Sequence, residues 1–166
     1  MRLPGVRAAA AVTVGLATAL LTAGCTPAPL GAAGVILNAS GHPTVLIRSC
    51  PGVAVNQVWV YQRVSNLRWG TADPGRHAVT EVQLLRAPAD WDEPDVPESS
   101  RLTEFSATVT YQVQLATDHP ERGGIDIVEF SLGDLSADRV WATRPNGRAE
   151  VMTRDEFDRQ AADNCS

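Results

Sequence analysis

Between Gly34 and Val151 apolar and polar residues alternate with a period of two, and Gly, Pro, Asn and Asp interrupt the alternation at short intervals. Alternation puts successive side chains on opposite faces of an extended chain, so it predicts strands rather than helices. The longest run has Phe105, Ala107, Val109, Tyr111, Val113 and Leu115 on one face, with Ser106, Thr108, Thr110, Gln112 and Gln114 on the other. This is the pattern of a strand in an antiparallel sheet with one wet side. Weaker runs predict strands at Val35 to Asn38, Thr44 to Cys50, Val55 to Val64, Thr80 to Arg86, Ile125 to Leu132 and Arg139 to Thr143. Arg144-Pro145-Asn146-Gly147 then supplies a turn before a short last segment, Ala149 to Met152. Seven strands of this size pack as two sheets, so the expected fold is mainly β, an antiparallel β-sandwich.

The rhythm changes at Thr153-Arg154-Asp155-Glu156, which has the spacing of a capping box and predicts a short C-terminal helix. Phe157, Ala161 and Cys165 stand four apart, share one face of that helix and are expected to dock on the sandwich. An immunoglobulin-like architecture is the natural analogy, and Cys50 followed nine residues later by Trp59 resembles its Cys and Trp pairing. The resemblance ends at the second cysteine of that family, which lies on a strand two residues after a corner tyrosine. Cys165 falls in the terminal helix with no tyrosine near it.

The 166 residues are 44% hydrophobic and 20% charged, which suits one globular domain with an appendage and excludes a large multidomain enzyme. All 14 basic residues are arginines, set against 19 acidic residues for a formal net charge of -5. A nucleic-acid binder presents the opposite sign to phosphates, so that class of partner is excluded. The absence of Lys with abundant Ala, Arg, Gly and Pro is similar to proteins of GC-rich bacterial genomes such as those of actinobacteria.

The first residues have the form of a secretory signal: Arg2 and Arg7 are a positive n-region, and Ala8 to Leu21 is an uncharged, mostly apolar stretch. At 14 residues it is too short to span a bilayer, which takes about 18 or more. Leu21-Thr22-Ala23-Gly24-Cys25 resembles the lipobox of bacterial lipoproteins, with Thr22 where Leu is usual and Leu21 one place earlier. That resemblance implies a signal peptide over 1–24 and a Cys25 thiol that carries a diacylglycerol with palmitate-type acyl chains. Two chains make the attachment durable, since one alone holds only marginally. Thr26 to Gly34 is then expected to be a flexible tether rich in Pro, Ala and Gly, so that 25–34 is lipidated cysteine and tether and 35–166 the single domain. The expected place is the extracytoplasmic face of the cell membrane. Cleavage leaves 12 arginines against 19 acidic residues, a net charge of -7 that repels anionic headgroups.

Assigning Cys25 to lipid leaves Cys50 and Cys165, an even pair that outside the cytoplasm is most simply a disulfide. His42, His77 and His119 fall in loops, and none forms a His-x-x-x-His or Glu-x-x-His spacing. Neither a Gly-x-Ser-x-Gly elbow nor a glycine-rich phosphate cradle occurs. No catalytic, cofactor-binding or metal-ligating residue is therefore assigned, and no cofactor is expected. The acidic loop 89–98 is the unusual segment, with five carboxylates, two prolines and Trp91. A calcium loop of the EF-hand type needs Gly at its sixth position and Glu at its twelfth, where this loop has Asp95 and Arg101. Of four tryptophans, Trp59 and Trp141 lie in strand patterns and are expected in the core or covering its edge; Trp69 and Trp91 lie in loops, where each either folds back on the sandwich or is a candidate partner contact.

The function these features support is a membrane-anchored cell-envelope lipoprotein, not an enzyme, that binds an envelope protein, a polymer or a small ligand through loops at one end of the sandwich. Two alternatives stand beside it: an envelope hydrolase using the loop carboxylates, and an inert structural spacer.

Overall fold

The computed structural model describes residues 29–75, 79–119, 125, 127–144 and 146–166. The signal peptide, Cys25, His77 and the start of the tether lie outside the described residues.

In chain order the elements are β1 (Gly31–Leu37), β2 (Pro43–Ser49), β3 (Val55–Gln62), β4 (Arg68–Ala72), β5 (Glu81–Gln83), β6 (Thr110–Thr117), β7 (Val128–Ser131), β8 (Val140–Thr143), β9 (Ala149–Met152) and α1 (Arg154–Asn164). They form two antiparallel sheets, β5-β2-β1-β8-β9 and β4-β3-β6-β7, packed as a β-sandwich. The core between them is built from Val35, Val45 and Ile47 of one sheet and Val58, Val60, Trp69, Tyr111, Val113, Val128 and Phe130 of the other.

A third layer lies outside the five-stranded sheet, where α1 covers Ala32, Ile36, Leu46, Val140, Ala142 and Met152 with Phe157 and Ala161. β1 is consequently buried on both faces, which its small residues allow. A Cβ at Gly34 would meet Val140 Cγ1 at 2.3 Å and Phe157 Cε2 at 3.2 Å. This corrects the expected tether: Gly31 to Gly34 are strand, paired with Ser49 to Leu46 of β2.

The helix starts as its sequence predicts. The Thr153 hydroxyl accepts from the Glu156 amide at 3.2 Å, and a Glu156 carboxylate oxygen accepts from the Thr153 amide at 2.7 Å. Its far end is held by a disulfide between Cys165 and Cys50, with Cα atoms 5.3 Å apart, and by the Asn164 amide donating to the Gly31 carbonyl at 2.8 Å.

The long alternating run is a strand only from Thr110. Tyr111 is buried, Val109 half-buried, and Thr108 and Thr110 exposed. Before the strand the chain turns so that the Ser106 amide donates to the Tyr111 hydroxyl at 2.6 Å, and Phe105 packs edge-on against the Tyr111 ring.

Both edges of the four-stranded sheet are covered, which removes the unpaired backbone that invites aggregation. At β7 the Trp141 indole N–H donates to the Glu129 carbonyl at 2.7 Å and the Thr143 hydroxyl to the Ile127 carbonyl at 3.0 Å. At β4 the acidic loop runs alongside: Ala72 and Asp92 exchange backbone hydrogen bonds, and the Leu102 amide donates to the Arg68 carbonyl. Trp91, Val96 and Leu102 peg that loop into the domain, while Asp90, Asp92, Glu93, Asp95 and Glu98 stay exposed.

Candidate functional site

The outward face of the four-stranded sheet carries the chemistry that the core and the edges do not use. A bulge between Val55 and Gln57 resets the alternation of β3, so that Val55, Val58 and Val60 all face inward. Gln57, Trp59 and Tyr61 are left facing out. Opposite Trp59 stand Gly70 of β4 and Gln114 of β6; opposite Tyr61 stand Arg68 and Gln112; and opposite Gln112 stands Glu129 of β7. Residues directly across a ladder share a face, so these side chains form one surface.

Trp59 lies flat on that surface. A Cβ at Gly70 would sit 2.3, 2.5 and 2.6 Å from the indole atoms Cε3, Cδ2 and Cζ3. Three near-equal distances to consecutive ring atoms arise only when the position is beneath the ring face, not beyond its edge. The indole thus covers the glycine, as aromatic residues do beside a sheet glycine. One of its faces is used against the backbone, and the residue as a whole is half-buried. Its N–H donates to Gln57 Oε1 at 3.0 Å, which fixes the ring's rotation. The Tyr61 ring lies 6.2 Å from it, centroid to centroid, and within 24° of parallel. The two rings, neighbours on one face of β3, form the aromatic platform of this surface.

A polar row borders the platform. The Gln114 amide donates to Gln112 Oε1 at 3.1 Å, the Gln112 amide reaches Glu129 Oε1 at 3.5 Å, and Arg63 pairs with the same carboxylate at 3.4 Å. Beyond Gln112 and Glu129 the surface dips into a hollow of about 400 Å³, lined also by Ile127, Thr143, Gly147 and Ala149. Ile127 is 47% exposed, one of three large apolar residues so exposed among the described residues.

The structure separates the alternatives for each tryptophan. Trp69, on β4, is only 5% exposed and Trp91 8%; both belong to the core, so neither offers a partner contact, and the Trp69 N–H is turned to Glu93 at 3.4 Å. Trp141 is half-buried and covers the edge at β7, one of the two places expected for it, whereas Trp59 is half-buried on the outer face, outside both. Among the described residues no three of His, Cys, Asp and Glu come together in a group that could hold a metal ion. His42 is exposed in the β1–β2 turn, and His119 is half-buried after β6. The platform was legible in part, since Gln57, Trp59 and Tyr61 share a parity opposite to Val58 and Val60.

Comparison of the chain with protein-family models, curated proteins and solved structures finds no match, so its function has to be argued from the site itself.

Proposed function

We propose that this chain is a binding module of the cell envelope, held at the extracytoplasmic face of the membrane by lipid on Cys25, and that it binds through the outer face of its four-stranded sheet. The observation that carries the reading is the flat indole of Trp59, stacked near Tyr61 beside a row of amides. An inert spacer has no use for two aromatic rings paired on its outer face. Hydrolysis by the acidic loop finds little support in carboxylates that are all exposed to water, without the burial that tunes such groups for acid–base work. Loops at one end of the sandwich, the binding surface suggested by sequence, present no comparable aromatic pair among the described residues.

The anchoring arm of the proposal rests on Arg2, Arg7, the apolar stretch and the Leu21 to Cys25 box. Cys25→Ala is expected to shift the protein from the membrane fraction to a soluble or unprocessed pool, and persistent membrane attachment after signal cleavage would overturn lipidation. For the binding face, the chain from residue 26 onward is mixed with sedimented bacterial envelope material. The wild-type chain is expected to pellet with it, and the folded double variant Trp59→Ala, Tyr61→Ala to pellet at least tenfold less. Equal pelleting of the two would remove the sheet face from consideration.

A further inference from the structure

We infer that the occupant of this face is an uncharged glycan chain, with successive sugar rings stacked on Trp59 and Tyr61 and their hydroxyls paired with the neighbouring amides. The inference rests on the binding face proposed above and names its ligand class. Two nearly parallel, half-buried rings 6.2 Å apart on the outward face suit a ligand that repeats a flat apolar face at a comparable interval. The C–H faces of consecutive pyranose rings in an extended chain have that form. Each hydroxyl around such a ring both donates and accepts, and Gln57, Gln112 and Gln114 are side chains that do both. The hollow beyond Gln112 and Glu129 gives the chain room to continue past the platform.

Other occupants fit less well. A nucleobase or an acidic glycan would also stack on the rings and meet Arg63 and Arg68 beside them, but the 19 acidic residues against 14 arginines of the whole chain oppose its approach, and the acidic control in the test separates that case. Strand addition needs an open sheet edge, and side chains of β8 and the acidic loop cover β7 and β4. A stable protein partner buries about 800 Å² on each side, whereas two half-buried rings offer about 200 Å² between them.

The test is electrophoresis of the folded chain from residue 26 onward through native gels. These contain a neutral β-glucan, a neutral α-mannan, a neutral galactan or neutral glycans released from bacterial envelope, with polygalacturonate as the acidic control. Retardation is expected in at least one neutral gel, unchanged by added salt. Tyr61→Ala and Trp59→Ala should weaken it at least tenfold, and Trp59→Phe, which keeps a flat ring, should retain part of it. Tyr61→Ala has no glycine to uncover, so it separates loss of stacking from loss of fold. If envelope pelleting depends on Trp59 and Tyr61 while none of the neutral gels retards the chain, the glycan is wrong and the face stands. Retardation confined to polygalacturonate and abolished by salt also overturns the glycan. Pelleting that ignores both aromatic residues overturns the face itself.

Discussion

Tyr111 shows how one hydroxyl organises a corner of the sandwich. Its ring is buried among Phe105 and Phe130, at 4.8 and 5.7 Å between centroids, and its hydroxyl takes the Ser106 amide at the point where the chain turns into β6. Tyr111→Phe keeps the packing and removes only that bond, so a loss of about 1–2 kcal/mol is expected in denaturant unfolding, with an unchanged m-value. A neutral result would mean that water replaces the hydroxyl at Ser106. The alternation of the sequence already marks Tyr111 as inward, because Val113 and Leu115 share its parity. Trp59 was misplaced for an equally local reason. Counted from Val55, strict alternation sends Trp59 into the core; the bulge at Asn56 reverses every later side chain of β3, and no residue type in that stretch announces a bulge.

At the level of elements, α1 and β1 depend on each other. The helix has 11 residues, too few to hold itself in water, and its apolar face is little more than Phe157 and Ala161. It persists because it is capped and because β1 lets it come close. The capping box was readable from Thr153 and Glu156. The strand beneath was not, since Gly31-Ala32-Ala33-Gly34 has the composition of a linker and also that of a strand buried on two faces against a helix. β4 was missed as well, because Arg68 to Ala72 contains a glycine that weakens a strand pattern until Trp59 is known to cover it. The cap carries a pH dependence with a definite sign. Glu156 titrates below its ordinary value, first because the Thr153 backbone N–H donates to its carboxylate and second because the Thr153 hydroxyl does. A lowered folded-state pKa adds stability above the ordinary carboxylate range and loses it as pH falls through the lowered value. Amide exchange at the first turn of α1 should therefore quicken in that acidic window, and in Glu156→Gln the acceleration should vanish. Exchange with the same pH profile in both proteins would refute a role for this carboxylate.

Over the whole molecule, the start of the described chain, the end of β2 and the end of α1 meet at one place. The Cys50 amide donates to the Leu30 carbonyl, Cys165 is bonded to Cys50, and Asn164 holds Gly31, so the chain rises into the domain beside the disulfide. Only four residue steps separate Cys25 from Pro29, at most about 14 Å of extended chain, so a lipid on Cys25 keeps this end close to the bilayer. β3 runs away from that end. The platform thus stands several strand residues from the place where the proposed anchor would enter the domain. The disulfide closes a separation of 115 residues and ties the last turn of α1 to the end of β2. Removing it with Cys50→Ser, Cys165→Ser should cost up to about 4–5 kcal/mol through the unfolded chain. The loss should appear locally first, because α1 is then held beyond its first turn by Phe157, Ala161, the exposed Arg48 to Asp158 pair, the Gln160 to Thr143 bond and the Asn164 to Gly31 bond. Trypsin has exposed arginines at Arg154 and Arg159 on the helix and at Arg68 and Arg86 on the sandwich. In the double variant, cuts at 154 and 159 should precede any cut at 68 or 86, and the trimmed product should keep the β-sheet signal of the parent. If the first cuts fall on the sandwich, the disulfide secures the sheets rather than the helix.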